Sequence, residues 1–213
     1  MDRTALIRRL RLYVITDGHK AQMERVSEAL EAGVTAMQLR AKEGSTRALV
    51  QMGQTLAATC RRRGALFIVN DRLDVALACG ADGVHLGLDD LPLPAARAIA
   101  GPNLVIGASV GTVGEALEAQ AQGADYLGVG SVFHTLSKAD AGPPIGMEGL
   151  RQVAQATPLP VVAIGGITVE NAAFTLSSGA VGVAVIRAVW DAPEIGTAVS
   201  VLRKALDRTP GRQ

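Results

Sequence analysis

The 213-residue chain predicts an α/β protein: eight parallel strands alternating with helices and closing into a barrel. Three observations carry that prediction. The strand candidates are continuous apolar runs, as expected for parallel strands covered on both faces. Gly33, Gly80, Gly123 and Gly179 each close a helix-like stretch and open a strand-like one, where glycine adopts the left-handed conformation that ends a helix. Polar side chains gather after the strand ends and leave the strand beginnings plain, the pattern of a barrel with its site at one mouth. An open doubly wound sheet is the alternative arrangement of the same elements.

A short N-terminal helix comes first, then a strand over Leu10–Thr16. The glycines place the second, fourth, sixth and eighth strands at Val34–Arg40, Gly83–Leu86, Tyr126–Gly130 and Val181–Ile186. Apolar runs at Ala65–Asn70, Leu104–Ser109 and Pro160–Ile164 fill the places between them. Helix starts are predicted at Ser45, at the capping box Thr112-x-x-Glu115 and at Thr168. Hydrophobic residues make up 48% and aromatics only 3%, so the core must be Val, Ile, Leu and Ala, which suits tightly packed strands and helices. The expectation is a single-domain (β/α)8 TIM barrel over residues 1–213, with a frayed tail over 207–213.

A formal charge of +1 argues against a broad nucleic-acid footprint. Cys60 and Cys79 are too few for a disulfide framework and lack metal-ligand spacing, so both read as reduced core thiols. No apolar run approaches the roughly 18 residues of a membrane span. Leu12–Ile15 is too short for a signal-peptide core, and the expected location is the cytoplasm.

Gln38-Leu39-Arg40-Ala41-Lys42 ends the second strand with three long polar side chains, and alternation sends Gln38, Arg40 and Lys42 to one face. Two cations beside an amide donor suit a polyanion, because guanidinium and ammonium groups bind phosphate oxygens through charge-assisted hydrogen bonds. Taken alone, the motif also reads as a solvated strand end. Asp71 and Asp90 follow neighbouring strands, and two carboxylates meeting a polyphosphate make a typical magnesium site. Each also has a plainer reading, as a helix cap or a loop residue, and Asp89 is the ambiguous neighbour of Asp90. Gly165-Gly166, before the helix start at Thr168, together with Ile186-Arg187 reads as a second anion site, separate from Arg40, Lys42 and Lys138. Two anion sites at one mouth imply two substrates. His85 stands near a strand end as either a structural or a substrate-touching residue; His134 falls in a Gly- and Pro-rich loop, Phe133–Gly146, long enough to act as a lid.

In order along the chain, Leu12-Tyr13-Val14-Ile15-Thr16-Asp17, the Gln38–Lys42 motif, Val69-Asn70-Asp71, Gly83-Val84-His85-Leu86-Gly87, Asp89-Asp90, Gly128–Phe133, Thr135-Leu136-Ser137-Lys138, Val162–Ile167 and Val183–Ile186 make a specific set. By these motifs the sequence resembles the thiamine phosphate synthase (thiamine-phosphate pyrophosphorylase) family over nearly its whole length. The resemblance implies a transferase of thiamine biosynthesis. Its substrates would be two phosphorylated heterocycles, 4-amino-2-methyl-5-(diphosphooxymethyl)pyrimidine and a 4-methyl-5-(2-phosphoethyl)thiazole or its carboxylated form. Its products would be thiamine phosphate and diphosphate. The resemblance further implies that Gln38, Leu39, Arg40, Ala41, Lys42, Asn70, Ser109 and Lys138 bind the pyrimidine diphosphate. Thr135, Leu136, Ser137, Gly166, Ile186 and Arg187 would bind the thiazole phosphate, and Asp71 and Asp90 would hold Mg2+. Arg40, Lys42 and Lys138 are the expected catalytic cations, stabilising the departing diphosphate in a dissociative substitution.

The chain departs from the family pattern at four places. Leu88 stands where Gln is usual, and Leu136-Ser137 where Pro-Thr is usual. Arg187 often corresponds to Ser, and Ala41 to Glu. Rival readings are the related thiazole tautomerase, a sugar-phosphate isomerase on the same fold and a catalytically silent thiamine-phosphate sensor or carrier. No nucleic-acid or membrane partner is expected; self-association is left open.

Overall fold

Each apolar run singled out in the sequence becomes a strand. The computed structural model describes residues 2–17, 22–41, 43–135, 137 and 142–208. The strands are β1 (Leu12–Ile15), β2 (Ala36–Leu39), β3 (Leu66–Asn70), β4 (Gly83–Leu86), β5 (Val105–Val110), β6 (Tyr126–Val129), β7 (Val161–Ile164) and β8 (Gly182–Val185). They pair in chain order, all parallel, and β8 returns to β1 through Leu12↔Val183 to close the barrel. The closed ring excludes the open doubly wound alternative.

The helices between them are α1 (Arg3–Arg9), α2 (Met23–Glu31), α3 (Thr46–Arg63), α4 (Leu73–Cys79), α5 (Leu93–Ala100), α6 (Val113–Ala121), α7 (Gly146–Ala156), α8 (Val169–Ser177), α9 (Arg187–Trp190) and α10 (Ile195–Asp207). Beyond the eight helices expected of the alternation and the N-terminal α1, the short α9 is additional. Among the described residues no helix is long and apolar enough to cross a membrane.

Strand alternation divides the core in two. Residues such as Leu12, Val14, Met37, Leu39, Phe67 and Val69 point outward and pack with the helices into one large cluster. Tyr13, Ile15, Ala36, Leu66, Ile68, Val105, Tyr126, Val162 and Ala184 fill the lumen as a second cluster. Leu6 and Leu10 join that inner cluster beside strand-start residues, so α1 seals the floor of the barrel. The lumen is packed below, and its partly open end is the opposite mouth.

The capping signals mostly held. Ser45 accepts from Ala48 N–H at 3.2 Å, and Gly33, Gly80, Gly123 and Gly179 all have positive φ. The box at Thr112 is only half formed: Thr112 Oγ1 accepts from Glu115 N–H at 3.2 Å, but the Glu115 carboxylate takes the N–H of Gly111 at 2.6 Å. Of the tail expected over 207–213, Asp207 is instead the last residue of α10 and Arg208 its cap; residues 209–213 lie outside the described residues.

Candidate active site

At the end of β2, alternation turns Gln38 into the lumen and Leu39 outward into the helix-facing core. The Leu39 side chain is therefore committed to packing, and only its backbone can face a ligand. Arg40 follows the last strand residue. Thr16 at the end of β1 pins its backbone, Arg40 N–H donating to Thr16 Oγ1 at 2.9 Å and Thr16 Oγ1 donating to Arg40 O at 3.1 Å. Among the described residues nothing pairs with the Arg40 guanidinium, which stands half-buried at the mouth. Ala41 is exposed. Lys42, the second cation of the expected polar face, lies outside the described residues.

Below Arg40 a hydrogen-bonded chain crosses the lumen. Gln38 Nε2 donates to Tyr13 Oη at 2.7 Å, and Tyr13 Oη lies 3.1 Å from Tyr126 Oη. Tyr126 Oη meets His85 Nδ1 at 2.9 Å, and His85 Nε2 meets Ser109 Oγ at 3.0 Å. Five side chains from β2, β1, β6, β4 and β5 are thus linked. Gly107 makes the room: a Cβ there would collide with the Tyr126 ring and with His85 Nδ1. Burial pushes the pKa of Tyr13 and Tyr126 well above the usual phenol value, because desolvation penalises the phenolate. His85 is therefore anchored through both ring nitrogens.

Asn70 sits beside His85 in the β3–β4 register. Asp71 follows with φ of 63°, the only non-glycine at positive φ among the described residues, and its N–H donates to His85 O at 2.8 Å. Such a conformation is costly for a side-chain-bearing residue and tends to persist where function uses it. Asp90 folds its own loop, Oδ2 accepting from Gly87 N–H at 2.7 Å, while Asp89 and Leu88 are exposed. Among the described residues, no group of three or more His, Cys, Asp or Glu side chains could hold a metal. Two carboxylates after adjacent strands are hard oxygen donors of the type magnesium takes when phosphates and water complete its shell, so the donor chemistry fits.

On the far side of the mouth, Phe133 N–H donates to Gly165 O at 3.0 Å, joining the β6–α7 loop to the glycine pair. Gly166 has φ of 64° and backs onto the His134 carbonyl, which a Cβ would strike. Asn171 of α8 fixes this turn: its Nδ2 donates to Gly166 O at 2.9 Å and its Oδ1 accepts from Thr168 N–H at 2.8 Å. Thr135 Oγ1 accepts from Ser137 N–H at 3.2 Å. Ile186 precedes α9, and Arg187 opens it with its Nε 2.7 Å from Asp191 Oδ2. The Arg187 side chain is therefore held along α9 by Asp191. Leu136 and Lys138 lie outside the described residues, as do residues 139–141 of the expected lid.

Sequence reasoning missed Tyr13, Tyr126 and Asn171. A signal for the first two existed. They are the chain's two tyrosines, both at lumen-facing strand positions, and a buried phenol needs a hydrogen-bond partner.

The fold is a (β/α)8 barrel with polar side chains gathered at the C-terminal ends of its strands, where enzymes of this architecture carry their sites. A family model described as thiamine monophosphate synthase matches residues 12–189. The thiamine-phosphate synthase of Moorella thermoacetica is 49% identical over 205 residues, covering 94% of this chain and 98% of that one. The thiamine-phosphate synthase of Pyrococcus furiosus is 52% identical over 204 residues, covering 95% and 98%. A solved structure of the Pyrococcus furiosus thiamine phosphate pyrophosphorylase superposes with a TM-score of 0.91 at 50% identity, covering 97% of this chain and 100% of that one. The chain belongs to the thiamine monophosphate synthase family, and it is an enzyme, a transferase.

Proposed function

We propose that this protein joins 4-amino-2-methyl-5-(diphosphooxymethyl)pyrimidine to a 4-methyl-5-(2-phosphoethyl)thiazole, or its carboxylated form, releasing diphosphate and forming thiamine phosphate. The observation that supports this reading is the polar set at the mouth end of the barrel: Gln38, Asn70, His85 and Ser109 stand toward the ends of four adjacent strands, and Arg40 comes two residues after Gln38. Half-identical relatives named for the synthase activity support it.

In this reading Arg40, Lys42 and Lys138 bind the diphosphate and stabilise the charge that grows on it as the C–O bond to the pyrimidine methylene breaks. Asp71 and Asp90 would hold magnesium, which when bound supplies further positive charge to the diphosphate oxygens. Gln38, Asn70 and Ser109, with Leu39 and Ala41 through their backbones, orient the pyrimidine. Thr135, Leu136, Ser137, Gly166, Ile186 and Arg187 hold the thiazole phosphate, so that the ring nitrogen is close when the methylene cation forms. No protein nucleophile is needed. The paired Arg187 side chain leaves its backbone as the contact to phosphate.

Diphosphate release by the purified protein, with each of the two substrates and magnesium omitted in turn, tests this. Release that requires all three, with thiamine phosphate formed in equal amount, is the expected result. Binding of either heterocycle without release would move the protein to the tautomerase or sensor reading.

A further inference from the structure

The chain from Gln38 to Ser109 has a direction. Gln38 Nε2 donates to Tyr13, whose oxygen accepts there and whose own proton is left for Tyr126. In that order the Tyr126 proton is left for His85 Nδ1, 2.9 Å away. With Nδ1 accepting, the imidazole proton sits on Nε2 and is donated to Ser109 Oγ. Ser109 accepts inside the barrel, so its own hydroxyl proton is available to the mouth, where this half-buried residue of β5 stands. Burial keeps both phenols neutral, and each has one proton to pass on. With the Gln38 amide turned as it is, Nε2 toward Tyr13, the opposite order would set the Tyr13 O–H against the Gln38 N–H, donor facing donor.

We propose that the chain is a positioning device. It locks His85 as the Nε2–H tautomer and so makes Ser109 an obligatory hydrogen-bond donor to an acceptor atom of the bound pyrimidine diphosphate. Tyr13 and Tyr126 act through Ser109 and do not touch the substrate. The role of the ligand rests on the synthase reading; the tautomer does not.

Two measurements test it. The chain has three histidines, so 15N-histidine labelling gives a sparse imidazole spectrum in which His85→Gln assigns the signals of His85. At neutral pH, without substrate, the Nε2–H tautomer alone is expected in the native protein, and Tyr126→Phe should let the Nδ1–H form mix in. An Nδ1–H tautomer, or a doubly protonated ring, would overturn the proposal even in a fully active synthase. In kinetics, Tyr126→Phe and Ser109→Ala should each raise KM for the pyrimidine diphosphate about tenfold and leave KM for the thiazole phosphate unmoved. Adding Tyr126→Phe to Ser109→Ala should then cost less than about twofold more. Fully additive losses would mean that the tyrosine serves packing alone. Tyr13→Phe, one link further from Ser109, is the second variant if Tyr126→Phe fails to fold. If the native protein makes no thiamine phosphate, the synthase reading fails while the tautomer measurement still stands or falls alone.

Discussion

Arg40 is the described residue on which the proposed chemistry leans hardest, because its guanidinium reaches the mouth with no partner among the described residues. Arg40→Ala should lower kcat by about 10²–10³-fold, the usual cost of removing one preorganised donor from developing charge. Arg40→Lys should recover only part, since an ammonium lacks the planar fork that grips phosphate; steady-state kinetics with the pyrimidine diphosphate reads both. Gly166→Ala places a Cβ against the His134 carbonyl at a φ of 64°. It should raise KM for the thiazole phosphate far more than KM for the pyrimidine. At this scale the placement of residues was legible wherever a polar residue interrupts an apolar run: Gln38, Asn70, Asp71 and Ser109 all stand in or just after the ends of strands. The sequence was silent on long-range pairing: Tyr13 and Tyr126 touch across 113 residues of chain. The exposed carboxylate of Asp191 that ties down Arg187 gave no sign of its partner either.

Helices carry the site as much as strands do. Asn171 both caps α8 and grips the Gly166 carbonyl, so Asn171→Ala should reduce stability by about 1 kcal/mol and weaken thiazole phosphate binding together. Urea unfolding and the KM for that substrate would report the two effects, and a stability loss with unchanged KM would restrict Asn171 to capping. Strands were read to within a residue or two because parallel strands buried on both faces leave long apolar runs. Helix starts were read from Ser45 and Thr168 because an N-cap needs only local chemistry. The half-formed box at Thr112 shows where that locality ends: Glu115 chose the Gly111 amide, one residue back, a competition that spacing alone does not rank. The four-residue α9 offered too short a pattern to detect.

For the molecule as a whole, the packed interior predicts sensitivity to alkali. Burial pushes the Cys60 thiol from 9.0 up to about 12. The unfolded chain releases that proton first, so it binds fewer protons than the folded chain once pH exceeds about 9. Stability from this group is complete below that point and declines with rising pH, by up to about 1.4 kcal/mol per pH unit, until the folded thiol itself ionises. Tyr13 and Tyr126, raised in the same sense, add to the decline from about pH 10 upward. Urea midpoints should therefore fall steadily on the alkaline side, less steeply for Cys60→Ala; a flat profile would contradict the burial assigned to these groups. The joint between β1 and β8, Leu12 with Val183, has a consequence in time. During synthesis β1 emerges before the other seven strands, and its neighbour β8 emerges after them. Until then the nascent sheet carries an open edge, a template for wrong partners. A ribosome that stalls before β8 releases an unclosed ring.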